Sequence, residues 1–233
     1  MQAIVLAGGL GTRLRGVVPD LPKPMAPVAG RPFLAWILGQ LVDAGFDRAV
    51  LAVGYRHEAV HDHFGDAFGA LELHYSVEDR PLGTGGALRL AAENLTSLPA
   101  FVLNGDTYLE LDYQSMLDAH TKQAEQMSVA VCSVADVARY GAIELEERHI
   151  RGFLEKGQAG PGIINAGTYL LSSAIVNRIP LGEPFSFEQQ LLVPQIGEIR
   201  PAAFRATGLF IDIGVPEDYA RAQRLFAAGG QKP

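Results

Sequence analysis

Ala3-Ile4-Val5-Leu6-Ala7-Gly8-Gly9-Leu10-Gly11-Thr12-Arg13-Leu14 decides the fold of this chain, and Pro22-Lys23-Pro24-Met25 extends its reading. The apolar run Ile4 to Leu6 reads as a buried strand of a parallel sheet. Gly8, Gly9 and Gly11 follow at once, then the Thr12 hydroxyl and the Arg13 guanidinium. Glycine lets backbone come close to a ligand, and successive exposed N–H groups in such a loop form an anion-binding concavity. Arg13 adds a forked donor suited to phosphate, and Lys23 adds a movable point charge. A strand, a glycine turn and two cations together read as a polyphosphate site.

Two other glycine loops are excluded. A Walker A loop ends in Gly-Lys-Ser/Thr, which is absent here. The dinucleotide fingerprint needs a small residue where this chain has Leu14, with a helix opening directly afterwards. Pro19, Pro22, Pro24 and Pro27 forbid a long helix. Gly8 to Gly30 therefore reads as a long ordered loop, and such loops in compact domains are usually functional.

The remaining chain is organised around this site. Its 233 residues, 48% hydrophobic, fit one large α/β domain. Strands are expected at Ala3–Leu6, Ala49–Val53, Leu71–Ser76 and Ala100–Asn104. Helices are expected at Pro32–Ala44, Glu58–Phe64, Thr84–Asn94 and Tyr113–Lys122. This alternation predicts a parallel, doubly wound sheet, whose ligands lie beyond the carboxyl ends of the strands. The Gly8 loop, Ser76–Gly86 and Gly105-Asp106 all fall at such ends.

The second half is richer in strands, expected at Met127–Val134, Gly141–Glu146, Ile150–Leu154, Ile164–Leu170, Ile199–Arg205 and Gly208–Ile211. A helix is expected from Phe187, with Ser186 and Gln189 as a capping box. A final helix opens at Pro216 and ends near Phe226.

Composition narrows the function. A net charge of −7 argues against nucleic acid as the partner. No apolar stretch is long enough to span a membrane, and no signal peptide is evident, so a soluble cytoplasmic protein is expected. The single Cys132 lies in an apolar run and reads as an inert buried thiol. His57-Glu58-Ala59-Val60-His61 matches the H-E-x-x-H zinc pattern, but a third protein ligand is not evident, so a solvated helix is expected.

Asp106 ends an apolar strand and Asp212 lies inside another apolar run. Two carboxylates from different strands suit Mg²⁺, which takes one or two of them together with substrate phosphate. Taken alone, Asp106 also fits a turn beside Asn104-Gly105, and Asp212 an ion-paired or capping role. Glu155-Lys156 reads as an ion pair at a strand end, and Asn165, Gly167 and Gly141 as turn residues. Gly83-Thr84-Gly85-Gly86 lies at an expected helix N-terminus, after Glu78. Glu78 offers a carboxylate acceptor beside this turn.

The Gly8 to Met25 segment resembles the signature of the sugar-1-phosphate nucleotidyltransferases. So do Leu82-Gly83-Thr84-Gly85-Gly86-Ala87, Asn104-Gly105-Asp106, Phe153-Leu154-Glu155-Lys156, Asn165-Ala166-Gly167-Thr168-Tyr169 and Phe210-Ile211-Asp212-Ile213-Gly214. The wording of Val18 to Met25 and of Phe210 to Tyr219 is similar to the branch that guanylylates D-glycero-α-D-manno-heptose 1-phosphate. The resemblance implies a Rossmann-like, glycosyltransferase-A-like α/β domain around one mixed sheet. Its nucleotide-binding half covers roughly 1–125 and its sugar-binding half roughly 126–233.

The resemblance further implies GTP and a heptose 1-phosphate as substrates, Mg²⁺ on Asp106 and Asp212, and catalytic roles for Arg13, Lys23 and Asp106. It places nucleotide on Leu6, Ala7, Gly8, Gly9, Gly11, Thr12, Arg13, Glu78, Gly83, Thr84, Gly85, Asn104 and Gly105. It places the sugar phosphate on Gly141, Glu155, Lys156, Asn165, Gly167 and Thr168. It admits a homodimer. Where relatives often carry proline after the Glu-Lys pair, this chain has Gly157, which leaves that backbone less fixed. Mannose 1-phosphate with GTP, uridylyl transfer to another sugar 1-phosphate, and a non-catalytic nucleotide-binding regulator stay open on the same motifs.

Overall fold

The computed structural model describes residues 1–9, 21–154, 157 and 159–229. The first half runs β1 (Gln2–Leu6), β2 (Pro27–Val28), β3 (Arg31–Pro32), α1 (Phe33–Asp43), β4 (Arg48–Val53), α2 (His57–Phe64), β5 (Ala67–Phe68) and β6 (Leu71–Val77). It continues through α3 (Gly83–Ala91), β7 (Ala100–Asn104), β8 (Thr107–Leu109) and α4 (Tyr113–Lys122). The second half runs β9 (Met127–Val134), β10 (Ile143–Glu146), β11 (His149–Phe153), β12 (Gly162–Leu171) and α5 (Ser173–Val176). It closes with α6 (Ile196–Ile199), β13 (Ala202–Arg205), β14 (Phe210–Asp212) and α7 (Pro216–Gly229).

Ten strands form one mixed sheet in the order β10-β11-β13-β9-β12-β7-β1-β4-β6-β5. Strand β1 lies between β7 and β4 and is parallel to both. The sheet becomes mixed at β12, which is antiparallel to β7 and to β9. Strand β1 is apolar at consecutive positions because both faces are covered. Ala3 and Val5 pack into a core with Phe33, Leu34 and Leu38 of α1 and Met116 of α4. Ile4 points the other way, into a core with Ala87, Leu88 and Ala91 of α3. Successive side chains of a strand alternate in direction, so an exposed face would have required polar residues.

Most expected elements form within a residue or two, and the differences have local causes. The α3 helix tightens into a 3₁₀ turn at Ala92–Asn94. The expected strand over 199–205 starts only at Ala202. Ile199 instead ends a helix, and Arg200 turns left-handed (φ 46°) before Pro201. The expected strand over 208–211 is shifted to β14, because Gly208 packs directly on Glu110, whose N–H donates to the Leu209 carbonyl (2.8 Å) and whose carboxylate accepts from Leu209 N–H (2.9 Å). Ser186 does cap the helical turn at Phe187, accepting from Gln189 N–H (3.2 Å). The return bond runs from Ser186 N–H to Gln190 Oε1 (2.7 Å), not to Gln189. The histidines of H-E-x-x-H lie on α2, where His61 is half exposed and faces Asp66 at 3.5 Å. Among the described residues no three His, Cys, Asp or Glu side chains group as a metal site. No helix among them is long and apolar enough to cross a membrane.

One buried group should make stability depend on pH. His120 of α4 is only 4% exposed, and its Nδ1 shares a hydrogen bond with Ser128 Oγ (2.8 Å). Burial pushes its pKa below the ordinary 6.5, with the Glu125 charge opposing. The unfolded chain then binds the proton more readily than the folded one. His120 therefore contributes stability that is present above the unfolded pKa and lost as pH falls through the folded value. Denaturant titrations at about pH 7 and pH 5 should show a drop in the wild type that His120→Gln reduces. An equal drop in both would refute the assignment.

Candidate active site

The carboxyl ends of β1, β4, β6 and β7 open on a cavity of about 650 Å³. Leu6, Gly8, Gly9, Lys23, Glu78, Gly83, Thr84, Asn104 and Asp106 contribute to its wall. A second cavity of about 620 Å³ lies beside it, lined in part by Asn104, Thr107, Arg139, Gly141, Asn165, Gly167, Glu188 and Asp212. Asn104 belongs to both walls. The two cavities therefore meet at the end of β7, in the middle of the sheet.

Asp106 and Asp212 stand at this junction. The short ladder between β8 and β14 sets Asp212 opposite Thr107, and Ile213 N–H donates to the Asp106 carbonyl (3.0 Å). Lys23 Nζ donates to Asp106 Oδ2 and lies 3.9 Å from Asp212 Oδ1. Thr107 Oγ1 donates to Asp106 Oδ1 (3.2 Å), and Gly214 N–H to Asp212 Oδ1 (2.5 Å). Gly214 must lack a side chain here, since a Cβ would come within 2.8 Å of Asp212 Oδ1 and 3.3 Å of Lys23 Nζ. Burial raises the Asp212 pKa, and the neighbouring Asp106 charge raises it further, against the opposing pull of Lys23. Two converging carboxylates that repel each other, with hard oxygen donors, are chemically suited to Mg²⁺ together with phosphate oxygens.

The glycines of the Gly83 motif divide between two tasks. Gly83 and Thr84 line the first cavity. Gly85 and Gly86 instead allow α3 to pack on the 183–187 segment. A Cβ on Gly86 would lie 2.6 Å from the Glu183 carbonyl oxygen, and one on Gly85 2.7 Å from the Phe185 ring. Both N–H groups donate to the Phe185 carbonyl (2.8 and 3.2 Å). Thr84 Oγ1 accepts from Phe187 N–H (3.1 Å). Gly105 serves the same close-packing purpose, giving its N–H to the Leu6 carbonyl (2.9 Å). Ala7 is buried and gives its N–H to Ala52.

Glu78 Oε2 accepts from Leu82 N–H (2.7 Å), which fixes the carboxylate on the cavity wall. Burial raises its pKa, and that hydrogen bond lowers it. In the second cavity Gly167 has φ 72°, and a Cβ there would lie 2.6 Å from Asn104 Nδ2. Thr168 is 3% exposed, within the β12–β7 ladder, and is not part of the lining of either cavity. Leu10, Gly11, Thr12, Arg13, Glu155 and Lys156 lie outside the described residues. Sequence reasoning missed Arg139 and Glu188. Arg139 pairs with Asp218 and stacks on Tyr140 (5.1 Å), beside the Gly141 that it did identify.

A mixed sheet with two adjoining cavities and two aspartates at their junction suits two anionic ligands brought together beside a cation. The chain belongs to the nucleotidyl transferase family, whose profile matches residues 2–228. Within that family it is 39% identical over 224 residues to D-glycero-alpha-D-manno-heptose 1-phosphate guanylyltransferase of Aneurinibacillus thermoaerophilus, covering 96% of this chain and 97% of that one. It is 40% identical over 220 residues to the protein of the same name from Campylobacter jejuni, covering 94% and 97%. The crystal structure of HddC from Yersinia pseudotuberculosis complexed with GMP-PN superposes with a TM-score of 0.85 at 37% identity, over 97% of this chain and 99% of that one.

Proposed function

We propose that this enzyme transfers GMP from GTP to D-glycero-α-D-manno-heptose 1-phosphate, releasing pyrophosphate, with Mg²⁺ as cofactor. The observation that carries the reading is the junction of two cavities at Asp106 and Asp212. One cavity takes the nucleotide, the other the sugar phosphate, so that the acceptor oxygen meets the α-phosphorus beside both carboxylates. The division into a nucleotide half (about 1–125) and a sugar half (about 126–233) belongs to this proposal, as does a cytoplasmic location.

The sugar phosphate oxygen is already ionised near neutral pH, so no general base is needed. Catalysis then rests on positioning and charge. When bound by Asp106 and Asp212, Mg²⁺ would supply positive charge against the α-phosphate. Lys23, on the wall of the first cavity and now neutralising the aspartates, is placed to turn toward a phosphate. The Gly8 and Gly9 backbone lies where a polyphosphate would run, and Glu78 borders the same cavity as a reader of the guanine donors. Gly141, Asn165 and Gly167 border the acceptor site, and Glu155 and Lys156 are assigned to its hydroxyls and phosphate.

Arg13 is assigned to the charge that develops on the leaving pyrophosphate. Arg13→Ala should lower kcat by roughly 10²–10³-fold while changing GTP affinity much less. Weaker GTP binding with an unchanged kcat would make Arg13 a binding residue only. The substrate assignment is tested by following pyrophosphate release with four nucleoside triphosphates against manno-heptose 1-phosphate and mannose 1-phosphate. Release with GTP and the heptose is expected. Release with another pair would move the specificity and retain the chemistry, and nucleotide binding without any release would indicate a regulator.

A further inference from the structure

The acceptor cavity contains a carboxylate that the assignments above leave without a task. Glu188 lines it and stands on the helical turn Phe187–Leu192, whose bonding is of π type. Val193 N–H reaches back five residues to the Glu188 carbonyl (2.8 Å). Turns of this kind are rare and recur at functional sites. Ser186 and Gln190 anchor the start of the turn, and the Phe187 ring packs on Tyr169 at 5.1 Å.

The side chain of Glu188 is held as firmly as its backbone. Oε1 accepts from the Tyr169 hydroxyl (3.1 Å) and from Asn165 Nδ2 (3.3 Å). Tyr169 is 2% exposed, and burial together with the Glu188 charge keeps its phenol protonated, so it donates. Asn165 Oδ1 accepts from Gly167 N–H (3.0 Å), which turns the amide nitrogen toward Tyr169 and Glu188. The pairing of β12 with β9 is irregular between Asn165 and Tyr169; Asn165 lines the cavity, and Tyr169 supports Glu188 from the buried core behind it. An acid in a first helical turn needs none of this to benefit from the helix dipole. Here two donors orient one carboxylate oxygen, while the residue remains exposed in the cavity.

We propose that Glu188 determines acceptor specificity. Its Oε2, the oxygen that Tyr169 and Asn165 leave untouched, accepts hydrogen bonds from hydroxyls of a polyhydroxylated sugar 1-phosphate. This rests on the functional reading above and deepens it. A sugar 1-phosphate is anionic at one end and a neutral polyol at the other. A fixed carboxylate favours the polyol and repels the phosphate, and so selects the orientation in which the substrate enters. Arg139, the cation among the described lining residues, neighbours Asp212 and suits the phosphate end. The same negative charge rejects sugars that carry a carboxyl group.

The test is steady-state kinetics of the wild type, Glu188→Gln and Glu188→Ala with GTP, Mg²⁺ and manno-heptose 1-phosphate, alongside thermal midpoints. Glu188→Ala should raise the KM for the sugar phosphate about 10- to 100-fold, the range for a charged hydrogen bond. The KM for GTP and the thermal midpoint should stay nearly unchanged. Glu188→Gln should fall between wild type and alanine, since its amide oxygen still accepts. An unchanged sugar KM, or a loss of both KM values together with stability, would overturn the assignment. If the wild type releases no pyrophosphate with GTP and manno-heptose 1-phosphate, the functional reading itself fails. An active wild type with an unaffected Glu188→Ala refutes only the role of Glu188.

Discussion

Asp106→Asn is expected to abolish Mg²⁺-dependent turnover, lowering kcat by at least about 10²–10³-fold. The substitution keeps the shape of the side chain and removes its charge. The remaining amide is a poor ligand for a hard divalent cation, which prefers anionic oxygen. Lys23 would retain Asp212 as its counter-ion at 3.9 Å, so the local structure has a reason to persist. The β8–β14 ladder that brings the two aspartates together is backbone-bonded and does not use the Asp106 side chain. Activity should therefore vanish while the thermal midpoint moves by no more than a few degrees. Mg²⁺ titrations of kcat check this. Normal turnover with an unshifted Mg²⁺ midpoint would remove Asp106 from the site.

Phe101→Ala should have the largest effect on stability. Phe101 is 1% exposed in β7, with Phe46 and Tyr113 edge-on to its ring at 5.4 and 5.2 Å. Those two rings also meet edge-to-face at 5.1 Å, so all three form a closed cluster. Truncation leaves a cavity that neighbouring strands cannot fill, at a cost of about 3–5 kcal/mol. That is a large share of the roughly 5–15 kcal/mol that stabilises a typical domain. At about 2–4 °C per kcal/mol for a chain of this size, the thermal midpoint should fall by roughly 10 °C. Because β7 carries Asn104 and Asp106 at its end, kcat should fall as well at temperatures near the new midpoint. A shift of a degree or two would mean that the cluster relaxes far more easily than its packing implies.

The part of this architecture that was legible in sequence is the part written in short-range pattern. Strand β1, helix α1 and strand β4 follow from apolar runs bounded by glycine and proline, because both faces of the sheet are covered. The second half was harder, since β13 and β14 are short and take their bounds from distant partners. Gly208 on Glu110 and the left-handed Arg200 leave no periodic trace. Asp106 and Asp212 could each be singled out as carboxylates in apolar surroundings. Their meeting depends on a three-residue ladder between segments about a hundred residues apart, which no local spacing encodes. The resemblance puts Gly85 beside the nucleotide, yet it and Gly86 accommodate a chain segment that comes from nearly a hundred residues away. Glu188 lay one position past the Phe187 helix start identified from its Ser186 cap, but nothing local distinguishes it from an ordinary first-turn acid.

The most direct test of the central claim is to mix the enzyme with GTP labelled at the α-phosphate, Mg²⁺ and manno-heptose 1-phosphate, and to weigh the products. Two cavities meeting at Asp106 and Asp212 predict a GDP-sugar that carries the label, formed in equal amount with pyrophosphate and only when both substrates are present. Label recovered in free GMP or GDP, at a rate indifferent to the sugar phosphate, would contradict it.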